Sequence, residues 1–113
     1  MLIKTIDEAI ALFKQHAIIQ CESTENGNYK LGNKSYDKII RCISFIEKNN
    51  KLEMLFSFLD DENMYIRYWA ACALLHTKEK EAIKVLKAIK RSKSGFISLN
   101  SEMTISEFKK GNI

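Results

Sequence analysis

Apolar positions recur along most of this chain at three- and four-residue spacing, the period of helices that bury one side. The densest run is Asn63 to His76, NMYIRYWAACALLH, interrupted by a single charge, Arg67. Ile66, Ala70, Ala73 and Leu74 share one face, while Tyr65, Tyr68, Cys72 and Leu75 line a second. A helix apolar on both flanks has to lie between neighbours, and the small run Ala70-Ala71-Cys72-Ala73 lets them come close. The rest of the chain is expected to be organised around this segment.

The same period predicts the other elements. Ile6, Ala9, Ile10, Phe13 and Ala17 predict a first helix running to about Cys21 or beyond. Thr5-Ile6-Asp7-Glu8 opens it as a capping box, with Glu8 reaching back to Thr5, and Asn26-Gly27 supplies the stop. A second helix covers Tyr29 to Asn49, with Tyr36, Ile39, Ile40, Ile43 and Ile46 on one side and Lys34, Lys38, Arg41 and Lys48 outward. Gly32 and Asn33 weaken its first turns, so its regular part is expected from Lys34. Leu52, Leu55, Phe56 and Leu59 predict a short third helix that Asp60-Asp61-Glu62-Asn63 stops, with Asn63 or Asp61 as the next N-cap.

After His76, Thr77 can cap a helix whose buried stripe is Ala82, Val85, Leu86 and Ile89. Ser92 to Gly95 breaks it. Phe96, Leu99, Met103 and Phe108 then recur at near-helical spacing up to Gly111. No segment alternates as a strand would, and proline is absent. The expectation is one all-α domain over residues 1–113, about six helices joined by short connections as αα-hairpins.

Composition narrows the class. The 46% hydrophobic and 28% charged content is that of an ordinary globular chain, and no apolar run is long enough for a bilayer. The N-terminus carries Asp7 and Glu8 within its apolar stretch and lacks a cleavage-like site, and three cysteines form no framework. A reducing compartment, the cytoplasm, is expected, and no membrane partner. Net charge is +4, a mild excess, but it is lopsided: acids at Glu53, Asp60, Asp61 and Glu62, then mostly bases from Lys78 to Lys93.

Candidate chemistry is sparse. His16 and His76 have no ligand-spaced neighbours, Cys21, Cys42 and Cys72 stand far apart, and four scattered glycines form no phosphate loop. A Cys72–His76 nucleophile pair is possible by spacing but lacks a third group, so the buried structural role is preferred. No catalytic residues, metal or cofactor are expected. Arg67 is expected to be structural, bonded with Asp60, Asp61 or a helix end, and Trp69 to be core. Lys80, Lys84, Lys87 and Arg91 follow a 4-3-4 spacing, one basic stripe that could track phosphates but more commonly is a solvated face.

Leu52 to Ile89 has the order of a HEAT-type hairpin: a helix, an acidic turn, an Ile-Arg pair opening an Ala-rich helix, then another apolar-striped helix. More narrowly, Ile66-Arg67-Tyr68-Trp69-Ala70-Ala71, Ala82 with Val85-Leu86, Glu102-Met103-Thr104-Ile105 and Phe108-Lys109-Lys110-Gly111 resemble the motifs of a small bacterial family of HEAT-like helical proteins catalogued as a domain of unknown function. Phe108 stands where that family's pattern has a terminal tryptophan. The resemblance implies a short HEAT-like stack, and its association with toxin–immunity loci implies a protein that binds and neutralises a toxin domain.

Asp61 and Glu62 with Tyr65 and Tyr68 are the candidate partner surface, since acids beside tyrosines suit a protein interface. The alternative is a nucleic-acid-binding module using the Lys80, Lys84, Lys87 and Arg91 stripe.

Overall fold

The computed structural model describes residues 2–113 and contains, among them, five α-helices, one 3-10 helix and no strand. The helices are α1 (Ile6–Glu25), α2 (Tyr29–Lys48), the 3-10 helix (Leu52–Asp60), α3 (Met64–Ala73), α4 (Glu79–Ser92) and α5 (Phe96–Lys109). The contacts gather into two compact units, Met1–Phe56 and Ser57–Ile113.

In the first unit α1 and α2 form a hairpin. Thr5 caps α1 as expected, its hydroxyl accepting from the Glu8 N–H at 3.1 Å, but the Glu8 carboxylate accepts from the Lys4 N–H at 3.3 Å rather than from Thr5. At the other end Gly27 takes φ 76°, so its own N–H reaches the Thr24 carbonyl and that of Asn28 reaches Ser23. These two bonds form a Schellman stop. Asn50, at φ 56°, closes α2 with the same pair of bonds.

The second helix departs from expectation in two ways. It is regular from Tyr29, because the Asn28 side chain accepts from the Leu31 N–H and caps a turn that propensity alone disfavours. Its buried seam is Gly32, Ser35, Ile39, Cys42 and Ile46, whereas Tyr36 and Ile40 are 46% and 43% exposed. Gly32 and Ser35 join Ile39 and Ile46 on the inner face where α2 runs beside α1; a Cβ on Gly32 would sit 3.5 Å from the Ser23 Cβ, an ordinary contact distance. Phe13, fully enclosed, is the largest side chain of this core.

In the second unit Asn63 is the cap of α3, its side-chain oxygen accepting from the N–H groups of Tyr65 and Ile66. The helix stops at Ala73 rather than His76, and Leu74 to Thr77 form turns. The 3-10 helix, expected as an α-helix, begins in the first unit and ends in the second, with Leu55 and Leu59 buried and Phe56 41% exposed. Lys78, without a side-chain cap bond, replaces Thr77 as the residue preceding α4. Ala82, Leu86 and Ile89 are buried as the spacing predicts, while Val85 is only half-buried.

The closing hairpin is tied by hydroxyls. Ser98 donates to the Ile89 carbonyl at 2.8 Å and accepts from the Ser94 N–H at 2.7 Å, fixing the start of α5 to the end of α4. Tyr68 and Thr104 share a hydrogen bond of 3.2 Å between α3 and α5. The last helix buries Ile97, Ser98, Ser101 and Ile105 and leaves Phe96, Leu99 and Met103 at 48%, 56% and 63% exposure. Three of the four apolar residues whose spacing predicts α5 therefore face outward. No described helix is long and apolar enough to cross a membrane.

Candidate functional site

The acidic turn before α3 is engaged in holding itself together. Asp61 accepts from the Asn63 N–H at 2.9 Å, and Arg67 Nη1 donates to the carbonyls of Asp61 and Glu62 at 2.6 and 3.0 Å. Arg67 is thus structural, but its partners are backbone carbonyls and not the Asp60 carboxylate, which stands exposed at the end of the 3-10 helix. Trp69 is core, 7% exposed and edge-on to Tyr68 with ring centroids 5.7 Å apart. Tyr68, expected on the partner surface, is also buried and bonded to Thr104, because the second apolar flank of α3 faces α5. Of the four proposed contact residues, Glu62 is exposed and Asp61 and Tyr65 are half-buried.

The cysteine–histidine pair is not assembled. Cys72 is half-buried by residue area, yet its sulfur is the enclosed part. Burial pushes the thiol up to about 12, partly offset by hydrogen bonds from Tyr68 and Thr104. His76 packs instead on Phe108, ring centroids 5.3 Å apart, beyond the end of α3. His16 is buried in the first unit with Nδ1 unpartnered; burial, then the Lys38 charge, lower its pKa. No three His, Cys, Asp or Glu side chains come together among the described residues in a way that could hold a metal.

The basic stripe is where the structure adds most. Lys80, Lys84, Lys87 and Arg91 all lie exposed along one line of α4. They line a groove of about 750 Å³, with Lys109 from α5, a floor of Ile83 and Phe108, and Glu79 as its acid. The stripe was visible in the sequence, but Lys109, Ile83 and Phe108 were not connected to it. Only the α4–α5 hairpin brings residues so far apart in the chain to one slot.

A second surface feature is the outward face of α5. At about 100° per residue, Phe96, Leu99 and Met103 point roughly opposite to the buried side of their helix. The exposed stripe of α2, Tyr29, Tyr36 and Ile40, instead flanks its buried seam at roughly a quarter turn. The α2 stripe widens a core face; that of α5 is detached from one.

Comparison with family models and with curated proteins finds no match. Among solved structures, the chain is similar to the crystal structure of the protein RPA1889 from Rhodopseudomonas palustris CGA009. The TM-score is 0.85 at 20% sequence identity, covering 96% of this chain and 92% of that one. The likeness shows the all-helical fold.

Proposed function

We propose that this is a non-enzymatic, protein-binding module that acts in the cytoplasm as an immunity protein, covering the working surface of a bacterial toxin. The observation that carries the binding reading is the inversion of α5, which buries Ser98 and Ser101 while holding Phe96, Leu99 and Met103 in solvent. Exposing three large apolar side chains opposite the core does nothing for the fold, and such a patch suits a partner that removes it from water. The toxin as partner comes from the family resemblance of the Ile66–Ala71 and Glu102–Gly111 motifs. A HEAT-like hairpin belongs to the same proposal and is supported by Arg67, which bonds back onto the acidic turn ahead of its helix. Glu62 and Tyr65 form a smaller candidate contact.

The test is co-expression with the polypeptide encoded beside it, read as rescue of growth and as co-purification. The expected result is rescue by the native chain and loss of rescue by Leu99→Asp with Met103→Asp, with an unchanged circular dichroism spectrum. Rescue undiminished in that variant would remove the α5 face from the interaction. A neighbour that is neither bound nor neutralised would remove the immunity assignment.

A further inference from the structure

We propose that the groove between α4 and α5 is a binding site for a single-stranded nucleic acid, a function separate from the protein contact assigned to the outer face of α5. Lys80, Lys84, Lys87 and Arg91 form a rail on α4 about 16 Å long, from the helical rise over eleven residues. Lys109 adds a fifth cation from α5.

Helix stability accounts for Arg91, in the last turn where the dipole favours a cation, but not for the rest of that rail. Like charges three and four residues apart on a helix repel, and Lys80 lies in the first turn, where the helix dipole disfavours a cation. The residue types suit phosphate: four of the five cations are lysines, which meet phosphates as mobile point charges, and Arg91 can hold one with its fork.

The floor distinguishes a strand from a duplex. Phe108, half-buried and packed edge-on with His76, lines the slot together with Ile83 and is its aromatic side chain. Bases of a single strand can turn inward to stack there while their phosphates follow the rail; paired bases cannot. Recognition of this kind is tolerant of sequence, and the site performs no chemistry on the strand.

The experiment uses the full chain and a fluorescent, mixed-sequence DNA strand of roughly a dozen nucleotides, with anisotropy read between about 50 and 200 mM salt. Binding should weaken with a log–log salt slope of roughly −3, the value for four phosphates on a single strand. Lys84→Glu with Lys87→Glu should cost at least about tenfold in affinity, the scale of two lost phosphate contacts. Lys51→Glu, an exposed reversal on the turn after α2, should leave affinity within about twofold. Circular dichroism establishes that each variant is folded. No binding at the lowest salt, a flat salt dependence, or an equal loss from Lys51→Glu would overturn the proposal. Tighter binding of the matching duplex would overturn it in favour of a double-stranded ligand. Displacement of the strand by polyglutamate at lower charge concentration would assign the groove to an acidic protein instead.

Discussion

The two compact units put their polar residues to different uses. In Met1–Phe56 the charges nearly balance, eight bases against seven acids, and the buried His16 has an unpartnered Nδ1. In Ser57–Ile113 ten bases stand against seven acids, and the polar groups of Arg67, Tyr68 and Ser98 each tie one segment to another. The first unit is a hairpin closed on Phe13, Ile39 and Ile46, with Gly32, Ser35 and Cys42 along the same seam. The second adds hydroxyl and arginine ties between segments to a core of Trp69, Leu74, Leu86 and Ile89, and carries the basic stripe on its surface. Both proposed binding faces lie there.

The sharpest way to break this contrast is to shorten an inward and an outward apolar residue. Phe13→Ala should destabilise by about 3–5 kcal/mol, since the ring is wholly enclosed. Leu99→Ala, more than half exposed, should stay within about 0.5 kcal/mol. Urea denaturation of both variants checks the pair, and a comparable loss at Leu99 would place it in the core.

Arg67→Met comes next. It removes two bonds from a charged donor to turn carbonyls, and a loss of about 1.5–3 kcal/mol is expected, measured by the same denaturation.

The third effect depends on pH. Burial holds the pKa of His16 below its ordinary 6.5, so the unfolded chain takes up the proton first as pH falls. The neutral-histidine stability is therefore fully present above pH 6.5 and declines on acidification, until pH has fallen through the lowered folded value. The slope is at most about 1.4 kcal/mol per pH unit for one group. Denaturant midpoints across that range should show it in the native chain and lose that part of it in His16→Leu.

The smallest effect has the opposite sign. At Gly32 an added Cβ meets Ser23 and the Gln20 carbonyl at ordinary contact distances, 3.5 and 3.9 Å. Gly32→Ala should therefore stabilise α2 by up to about 1 kcal/mol, seen as a higher melting temperature. A loss would show that the close passage of α1 and α2 has no slack.

Helix positions were largely legible in the sequence because their signals are local. Thr5, Asn63, Gly27 and Gly111 cap or stop helices where their chemistry says they should. What was not legible is which of two competing faces turns inward. In α5, Phe96-Leu99-Met103 and Ile97-Ser101-Ile105 are both helically spaced, and only packing against α3 and α4 chooses the second. The same choice put Tyr68 in the core and Gly32, Ser35 and Cys42 at the seam of α2. The groove was half legible: its basic wall is a stripe on one helix, but its floor comes from Phe108, far along the chain.

The enclosed cysteines have a practical consequence. Burial raises the Cys42 thiol to about 11 and the Cys72 thiol to about 12, and Cys21 is only 6% exposed. Maleimide labelling needs an accessible thiolate, so these sulfurs should react slowly at neutral pH and need not be replaced. One cysteine introduced at exposed Ala88, beside the basic rail, and another at exposed Glu102, beside Met103, in separate variants, would each carry a dye selectively. Quenching at the first reports what enters the groove, and quenching at the second reports what covers the outer face of α5, so the two surfaces can be followed independently in an otherwise native chain.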